Sequence, residues 1–298
     1  MNGKVVVITG ANAGIGKETA VGLASMGATT VLACRDEEKA SSAAAEIKSR
    51  SGNDDVHVVA LDLADLASVR ACAASIETSW SRLDVLVNNA GGMWTGRRTT
   101  APGFEWHFGV NHLGHFFLTN LLLPRLVSSA PARVINVTSH GHHMAVRGMR
   151  WDDLQYERRY TAMGAYAHSK LANILFTREL ARRLDPSQVT VNAVHPGPVR
   201  TRFGMDGDMK GIVGLGNLLV RPFEISAEAG ARTSIFLAAD PSLEGQTDGY
   251  WVRCRPGHPS RAARDDAAAK RLWAESERLL ASAGFGLPPE IGGLTKSA

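Results

Sequence analysis

Only three cysteines occur in the 298 residues, Cys34, Cys72 and Cys254, and no two form a C-x-x-C pair. A scattered, odd set cannot build a disulfide framework, so reduced thiols and a cytoplasmic location are expected. No apolar run approaches the ~20 residues needed to cross a bilayer. The opening Met-Asn-Gly-Lys leads straight into a strand pattern. Neither a signal peptide nor an integral membrane segment is therefore expected. Neither sign of charge dominates: 33 Lys and Arg face 29 Asp and Glu, a net charge of +4. Aromatic residues make up 6% and do not interleave with the basic ones, which excludes a nucleic-acid groove. The one basic tilt, Arg253 to Arg264, reads as a solvated surface. No linker divides the chain and no internal repeat recurs.

What is present is an alternation of short apolar runs and longer helical patterns. Val5–Thr9, Thr29–Cys34, Val56–Leu63, Leu83–Ala90, Arg133–Ser139 and Val189–His195 read as strands, with Tyr250–Val252 as a last one. Several are apolar at nearly every residue, as strands covered on both faces must be. Helical spacing marks Gly16–Met26, Glu37–Ser49, Leu66–Thr78, a long stretch Trp106–Val127, Ala165–Leu184 and Ala267–Leu280. The alternation predicts an α/β fold over residues 1–298. Its core is a doubly wound, Rossmann-type parallel sheet of about seven strands with helices on both faces. Two stretches break the rhythm. One is Gly141–Gly164. The other is Thr201–Phe223, whose apolar run from Ile212 to Val220 reads either as a mobile lid over an apolar substrate or as a buried helix. A helix and a Gly/Pro-rich tail follow from residue 267.

Directly after the first strand stand Gly10, Gly14 and Gly16, with Asn12 and Ile15 among them. Glycines at a strand-to-helix turn let backbone N–H groups approach a phosphate at the helix N-terminus. The alternative is an ordinary β-to-α turn, against which the place of the triplet directly after the first strand speaks. The end of the second strand discriminates between nicotinamide cofactors, because an acid there binds a ribose hydroxyl and an Arg accepts a 2′-phosphate. The strand ends Ala33-Cys34-Arg35. Cys34 stands where the acid would be, and Arg35 points to NADP, with Asp36 as the competing ribose ligand. Asp62, with Leu63 beside it, ends the third strand within reach of an adenine. Asn88-Asn89-Ala90-Gly91 ends the fourth, either lining the cofactor or forming a plain turn.

Tyr166 and Lys170 lie four apart in a helical pattern, hence on one face. A free phenol has a pKa near ~10, and a neighbouring cation favours the phenolate. Together with Asn111, Ser139 and Pro196-Gly197, these motifs occur in the order of the short-chain dehydrogenase/reductase family, which the chain resembles from about Lys4 to Tyr250. Longer stretches resemble its retinol dehydrogenase-like branch: Ala33-Cys-Arg-Asp36, Gly109-Val-Asn-His-Leu-Gly-His-Phe116, Tyr166-Ala-His-Ser-Lys-Leu-Ala-Asn173 and Val194-His-Pro-Gly197.

The resemblance implies roles residue by residue. Tyr166 is the acid–base group. Lys170 tunes it and holds the nicotinamide ribose. Ser139 bonds the substrate oxygen, with Thr138 as rival hydroxyl, and Asn111 anchors a water leading from Lys170. Asn89, Ala90 and Gly91 line the cofactor, Pro196, Gly197 and Val199 flank the nicotinamide, and Thr201 reaches its carboxamide or the phosphates. His140, His142 and His143 lack a nearby cysteine or carboxylate at ligand spacing, so they line the pocket and no metal is expected. The expected activity is hydride transfer between NADP(H) and a lipophilic aldehyde, ketone or alcohol. The alternatives are a cofactor-binding scaffold without turnover, or an epimerase or dehydratase of the extended branch. The former would be expected to lose the Tyr or Lys, the latter to carry a larger C-terminal domain. A homo-oligomer formed through the long helices around Asn111 and Tyr166 is allowed for by analogy.

Overall fold

A computed structural model describes residues 1–197 and 225–288. Val199, Thr201 and the 201–223 segment lie outside the described residues. The strands β1 (Val5–Thr9), β2 (Thr29–Cys34), β3 (Val56–Ala60), β4 (Val85–Asn88), β5 (Ala132–Val137), β6 (Val189–His195), β7 (Tyr250–Val252) and β8 (Arg255–Pro256) form one sheet. Its order is β3-β2-β1-β4-β5-β6-β7-β8. All pairings are parallel except β7 with β8. The chain winds outward from β1 in one direction and from β4 in the other. The gap between β1 and β4 at the carboxyl ends is therefore the crevice where such sheets hold ligands.

Period-two alternation divides the core. Val5 and Val7 face one hydrophobic cluster, and Val6 and Ile8 the other. The first is covered by α3 (Leu66–Ser79), α5 (Gly114–Ser128), α6 (Ala162–Arg183) and α8 (Asp266–Ser282). The second is covered by α1 (Gly14–Ser25), α2 (Glu37–Ser51) and α7 (Ala227–Ala239). α1 and α7 pack so closely that a Cβ on Gly22 would stand 2.4 Å from Ile235 Cδ1.

Several expected boundaries move, each for a local reason. β3 stops at Ala60 because the Asp62 carboxylate accepts from the N–H of Ala64 at 2.9 Å and turns the chain. β5 stops before Ser139, whose hydroxyl accepts from the Gly141 N–H and starts a 3₁₀ turn, His140–Met144. The eighth strand follows a tight turn at Arg253 and Cys254, with φ of 52° and 57°. Neither residue is a usual left-handed turn former, so the sequence carried little sign of it. α7 was also unforeseen. Its signal was Ser226, which caps the helix by accepting from Ala229 N–H, with Glu228 in the first turn. The long helix expected over Trp106–Val127 is interrupted. A single turn, α4 (Trp106–Phe108), runs into a π-helical turn, Gly109–Leu113, before α5 begins.

α8 lies against α5 and α6. The Trp273 ring packs 4.9 Å from Phe116 and 6.0 Å from Phe176, and Arg183 stacks over it at 4.2 Å.

Candidate active site

At the β1 end the chain turns through Gly10 and Gly14, with φ of 64° and 55°, conformations that glycine takes at no steric cost. A Cβ on Gly16 would lie 2.5 Å from Asn89 Nδ2 and 2.6 Å from the Gly10 carbonyl oxygen. The turn is therefore closed against the end of β4 and tolerates no side chain. Helices α2, α3, α7 and α8 are each capped by a side chain, from Asp36, Asp65, Ser226 and Asp265. α1 begins at Ala13 with no such cap. Its first N–H groups have no capping side chain to satisfy them. Such a helix end attracts an anion. The residues thus fit the pyrophosphate of a dinucleotide.

Cys34 is buried at the end of β2. Its sulfur lies near the backbone of Gly10, Ala11 and Asn12, and burial pushes the thiol up to about 11. Arg35 is exposed at the strand end. Asp36 is spent locally, capping α2 through Lys39 N–H and pairing with the Lys39 ammonium at 2.8 Å. Asp62 and Leu63 end β3's extension, with Leu63 against Gly114.

The Asn pair divides its labour. Asn88 points toward α5 and α6, donating to Thr119 and Asn136 at 2.8 Å each, and Asn136 donates on to Thr177. Asn89 reaches back to the Thr9 carbonyl at 2.8 Å. The Thr9 hydroxyl in turn accepts from the N–H groups of Asn89 and Ala90, both at 2.9 Å. Thr9 opens the glycine motif, but its hydroxyl had no role in the sequence-based site, because its partners lie 80 and 81 residues away.

Helix α6 brings Tyr166 and Lys170 under the ends of β5 and β6. Ser139 hydrogen-bonds the Tyr166 hydroxyl, which lowers the phenol pKa, but burial is the larger effect and the net direction is upward. The Lys170 ammonium lies over the Tyr166 ring, 5.9 Å from its centroid, and donates to the Val137 carbonyl at 3.2 Å. Burial pulls it down to about 8, so it holds its charge loosely near neutrality. The geometry separates the two candidate hydroxyls. Thr138 is buried with its hydroxyl donating to the Lys170 carbonyl at 2.7 Å, while Ser139 faces Tyr166.

Asn111 sits in the π-helical turn. Its amide grips Gly92 from both sides at 3.1 Å and donates to Ser169 at 3.0 Å. Gly91 admits no side chain, since a Cβ there would lie 2.7 Å from Asn111 Oδ1 and 3.4 Å from Lys170 Nζ. The Asn111 carbonyl accepts from His115 Nδ1 at 3.2 Å, and His115 Nε2 meets the Thr9 hydroxyl at 2.9 Å. A carbonyl can only accept, so the His115 proton is on Nδ1 and Thr9 donates to Nε2. The sequence held a sign of this link in the four-residue spacing from Asn111 to His115.

His142 is fixed by the Ser139 carbonyl at 2.7 Å and by the Ser260 N–H at 3.1 Å. His140, His143 and His195 stack beside it, the His140 and His143 rings 4.5 Å apart. Among the described residues no group of three or more His, Cys, Asp or Glu is arranged to hold a metal ion. Pro196 and Gly197 close β6, with Gly197 at φ 95°.

A doubly wound sheet with an uncapped first helix and a Ser–Tyr–Lys cluster at the strand ends defines a nucleotide-dependent oxidoreductase. The chain belongs to the short-chain dehydrogenase family, whose model matches residues 4–151 and 154–209. It is 49% identical to retinol dehydrogenase 12 of Homo sapiens over 278 residues, 93% of this chain and 86% of that one. It is 46% identical to retinol dehydrogenase 13 of the same organism, over 93% and 85%. Among solved structures, an uncharacterised protein from Mycobacterium paratuberculosis is 38% identical with a TM-score of 0.74, covering 96% of each chain. The RhlG/NADP active-site complex from Pseudomonas aeruginosa is 26% identical with a TM-score of 0.66, over 84% and 94%.

Proposed function

We propose that the protein is an NADP(H)-dependent reductase of apolar aldehydes and ketones, working in reverse on the corresponding alcohols. The observation that carries this reading is the convergence of Ser139, Tyr166 and Lys170 beside the uncapped end of α1. When bound, the cofactor supplies the hydride. The chain supplies the rest. Ser139 and the Tyr166 hydroxyl donate to the substrate oxygen, and Tyr166 gives up its proton as negative charge grows there. Lys170 stabilises the phenolate that results and bonds the nicotinamide ribose. Asn111 holds the Gly92 backbone and, through Ser169, the turn of α6 between them.

For the cofactor, Gly10, Asn12, Gly14, Ile15 and Gly16 would take the pyrophosphate, Asp62 and Leu63 the adenine, and Asn89, Ala90 and Gly91 the middle of the molecule. Pro196 and Gly197 would flank the nicotinamide. Arg35 would take the 2′-phosphate, a choice supported by the local commitments of Cys34 and Asp36. The NADP complex of the Pseudomonas aeruginosa relative supports it too. Support for an apolar substrate comes from Met144, Val146 and Met163. They are 61%, 81% and 40% exposed, and they lie in and beyond the 3₁₀ turn after Ser139 and three residues before Tyr166.

The test is cofactor oxidation, read at the nicotinamide absorbance, over a series of lengthening alkyl aldehydes with NADPH and NADH. Each buried methylene is worth about 0.8 kcal/mol, so kcat/KM should climb with chain length and favour NADPH. A preference for polar sugars, or equal use of NADH, would refute the respective half of the proposal.

A further inference from the structure

Two ionisable side chains that the reaction does not use are fully buried beside it. Glu105 and His107 are both 0% exposed. A buried carboxylate is costly unless its oxygens are satisfied, and here both are. Oε2 accepts from the Phe108 N–H at 2.8 Å, capping α4, and Oε1 accepts from His107 Nδ1 at 2.8 Å. The other imidazole nitrogen, Nε2, accepts from the Trp94 N–H at 2.9 Å. That bond fixes the tautomer: the lone pair is on Nε2 and the proton is on Nδ1, aimed at Glu105.

The pair joins three segments. Trp94 lies in the loop that leaves β4 through Gly91 and Gly92. Glu105 opens the run into the π-helical turn of Asn111. The Glu105 N–H donates to Gln155 Oε1 at 2.7 Å, and the Tyr160 hydroxyl donates to the Trp94 carbonyl at 3.3 Å. This binds the stretch that leads into α6. At the centre, the His107 ring meets the Tyr166 ring edge-on at 6.3 Å and the Trp94 ring at 5.5 Å. An apolar side chain of similar size would fill the space. It would also leave the Trp94 N–H without an acceptor and Glu105 with an unmatched oxygen.

We propose that Glu105 and His107 are positioning residues, a clamp that holds the Trp94 loop against the Tyr166 ring and so fixes the substrate side of the reaction centre. The clamp acts on the substrate and not on the dinucleotide, whose glycine turn lies at the end of β1. This rests on the reductase reading above for its kinetic consequence, but not for its structural one.

The experiment compares His107→Leu, which removes both imidazole hydrogen bonds, with His107→Gln, which keeps a donor for Glu105 and an acceptor for Trp94. The full chain is used, with an apolar aldehyde, NADPH titration by fluorescence, and amide hydrogen exchange. His107→Leu should lose ~10- to ~100-fold in kcat/KM, as small misplacements of reacting groups do, with NADPH affinity kept within about twofold. Exchange at residues 92–95 should speed about tenfold, and His107→Gln should recover most of both losses. The clamp is overturned by kcat/KM within about threefold of wild type in His107→Leu, by an equal loss of NADPH affinity, or by a glutamine variant no better than leucine. If the wild type oxidises no cofactor, the reductase reading falls. Exchange at Trp94 then still decides the clamp, unchanged rates overturning it. Should His107→Leu fail to fold, Glu105→Gln removes one acceptor and should give a smaller loss of the same sign, and unchanged kinetics there overturn the proposal.

Discussion

Lowering the pH from about 7.5 to about 5 should destabilise this protein through two histidines of the Asn111 turn and the helix it opens. His112 and His115 are buried against helices and the ends of the sheet. Burial depresses His112 from 6.5 to about 3 and His115 from 6.5 to about 4. Their folded values lie below the unfolded one, so between pH 6.5 and about 4 the unfolded chain binds protons that the folded chain refuses. Stability is therefore complete above about 6.5 and falls as the pH drops through that window. At pH 5 each histidine costs about 2 kcal/mol, or about 4 kcal/mol together, with a slope approaching 2.7 kcal/mol per pH unit. That is a large part of the 5–15 kcal/mol by which domains are ordinarily stable.

Urea denaturation at several pH values measures the slope. One substitution apportions it. His112 makes a single polar contact, to Ser276 at 2.9 Å, with Nδ1 left unpartnered among Phe108, Phe116 and Phe176. Ser276 keeps its own bond to the Leu272 carbonyl. His112→Phe should thus leave stability near wild type at pH 7.5, raise it at pH 5, and lower the acid slope by up to about 1.4 kcal/mol per pH unit. The rest of the slope remains with His115 and with His142 and His195, which burial also depresses to about 4. A wild-type stability that changes by less than about 1 kcal/mol between pH 7.5 and 5 would refute the reasoning.

Tyr166→Phe should reduce kcat by ~10²- to ~10⁴-fold while NADPH still binds, because only the proton donor is lost; retention of a tenth of the wild-type rate would remove Tyr166 from that role. Arg35→Ala should weaken NADPH by ~1.5–3 kcal/mol and leave NADH nearly unchanged, as measured by fluorescence titration. Gly16→Ala should cost at least about tenfold in cofactor affinity, since its Cβ would collide with Asn89 and the Gly10 carbonyl; an affinity within twofold would show that the turn gives way. Thr138→Val should lower stability by about 1 kcal/mol through the lost bond to the Lys170 carbonyl, seen by urea melt, with Ser139 unable to substitute.

The strands were legible because a sheet covered on both faces forces unbroken apolar runs. Val5–Thr9, Thr29–Cys34 and Val189–His195 end where the residues change. The glycine turn and the Tyr166–Lys170 spacing were legible because backbone conformation and helix periodicity are local properties. What stayed hidden depends on contacts distant in sequence. Cys34 gave no sign that its sulfur would be buried near the backbone of Gly10, Ala11 and Asn12. The π-helical turn at Asn111, whose side chain holds Gly92, is a departure that no periodicity records. The Glu105–His107 pair looked like two ordinary residues at the start of a helix. Cofactor choice was readable at Arg35 only as a residue type, and the commitment of Asp36 to Lys39 needed coordinates.

The position of α8 bears on how two copies of the chain could meet. Trp273, Leu272, Leu279 and Leu280 are buried where α8 packs beside α5 and α6. A second molecule seeking those long helices would compete with a ligand that is already tethered. Evicting the four side chains would cost about 6–12 kcal/mol at ~1.5–3 kcal/mol each, before the ion pairs of Asp266 with Arg178 and Arg182 are counted. Tethering also gives α8 an effective concentration that a free partner cannot match at cellular levels. The part of α5 and α6 around Phe116, Phe176 and Arg183 is thus occupied from within, and a second copy pairing at that part would have to displace α8.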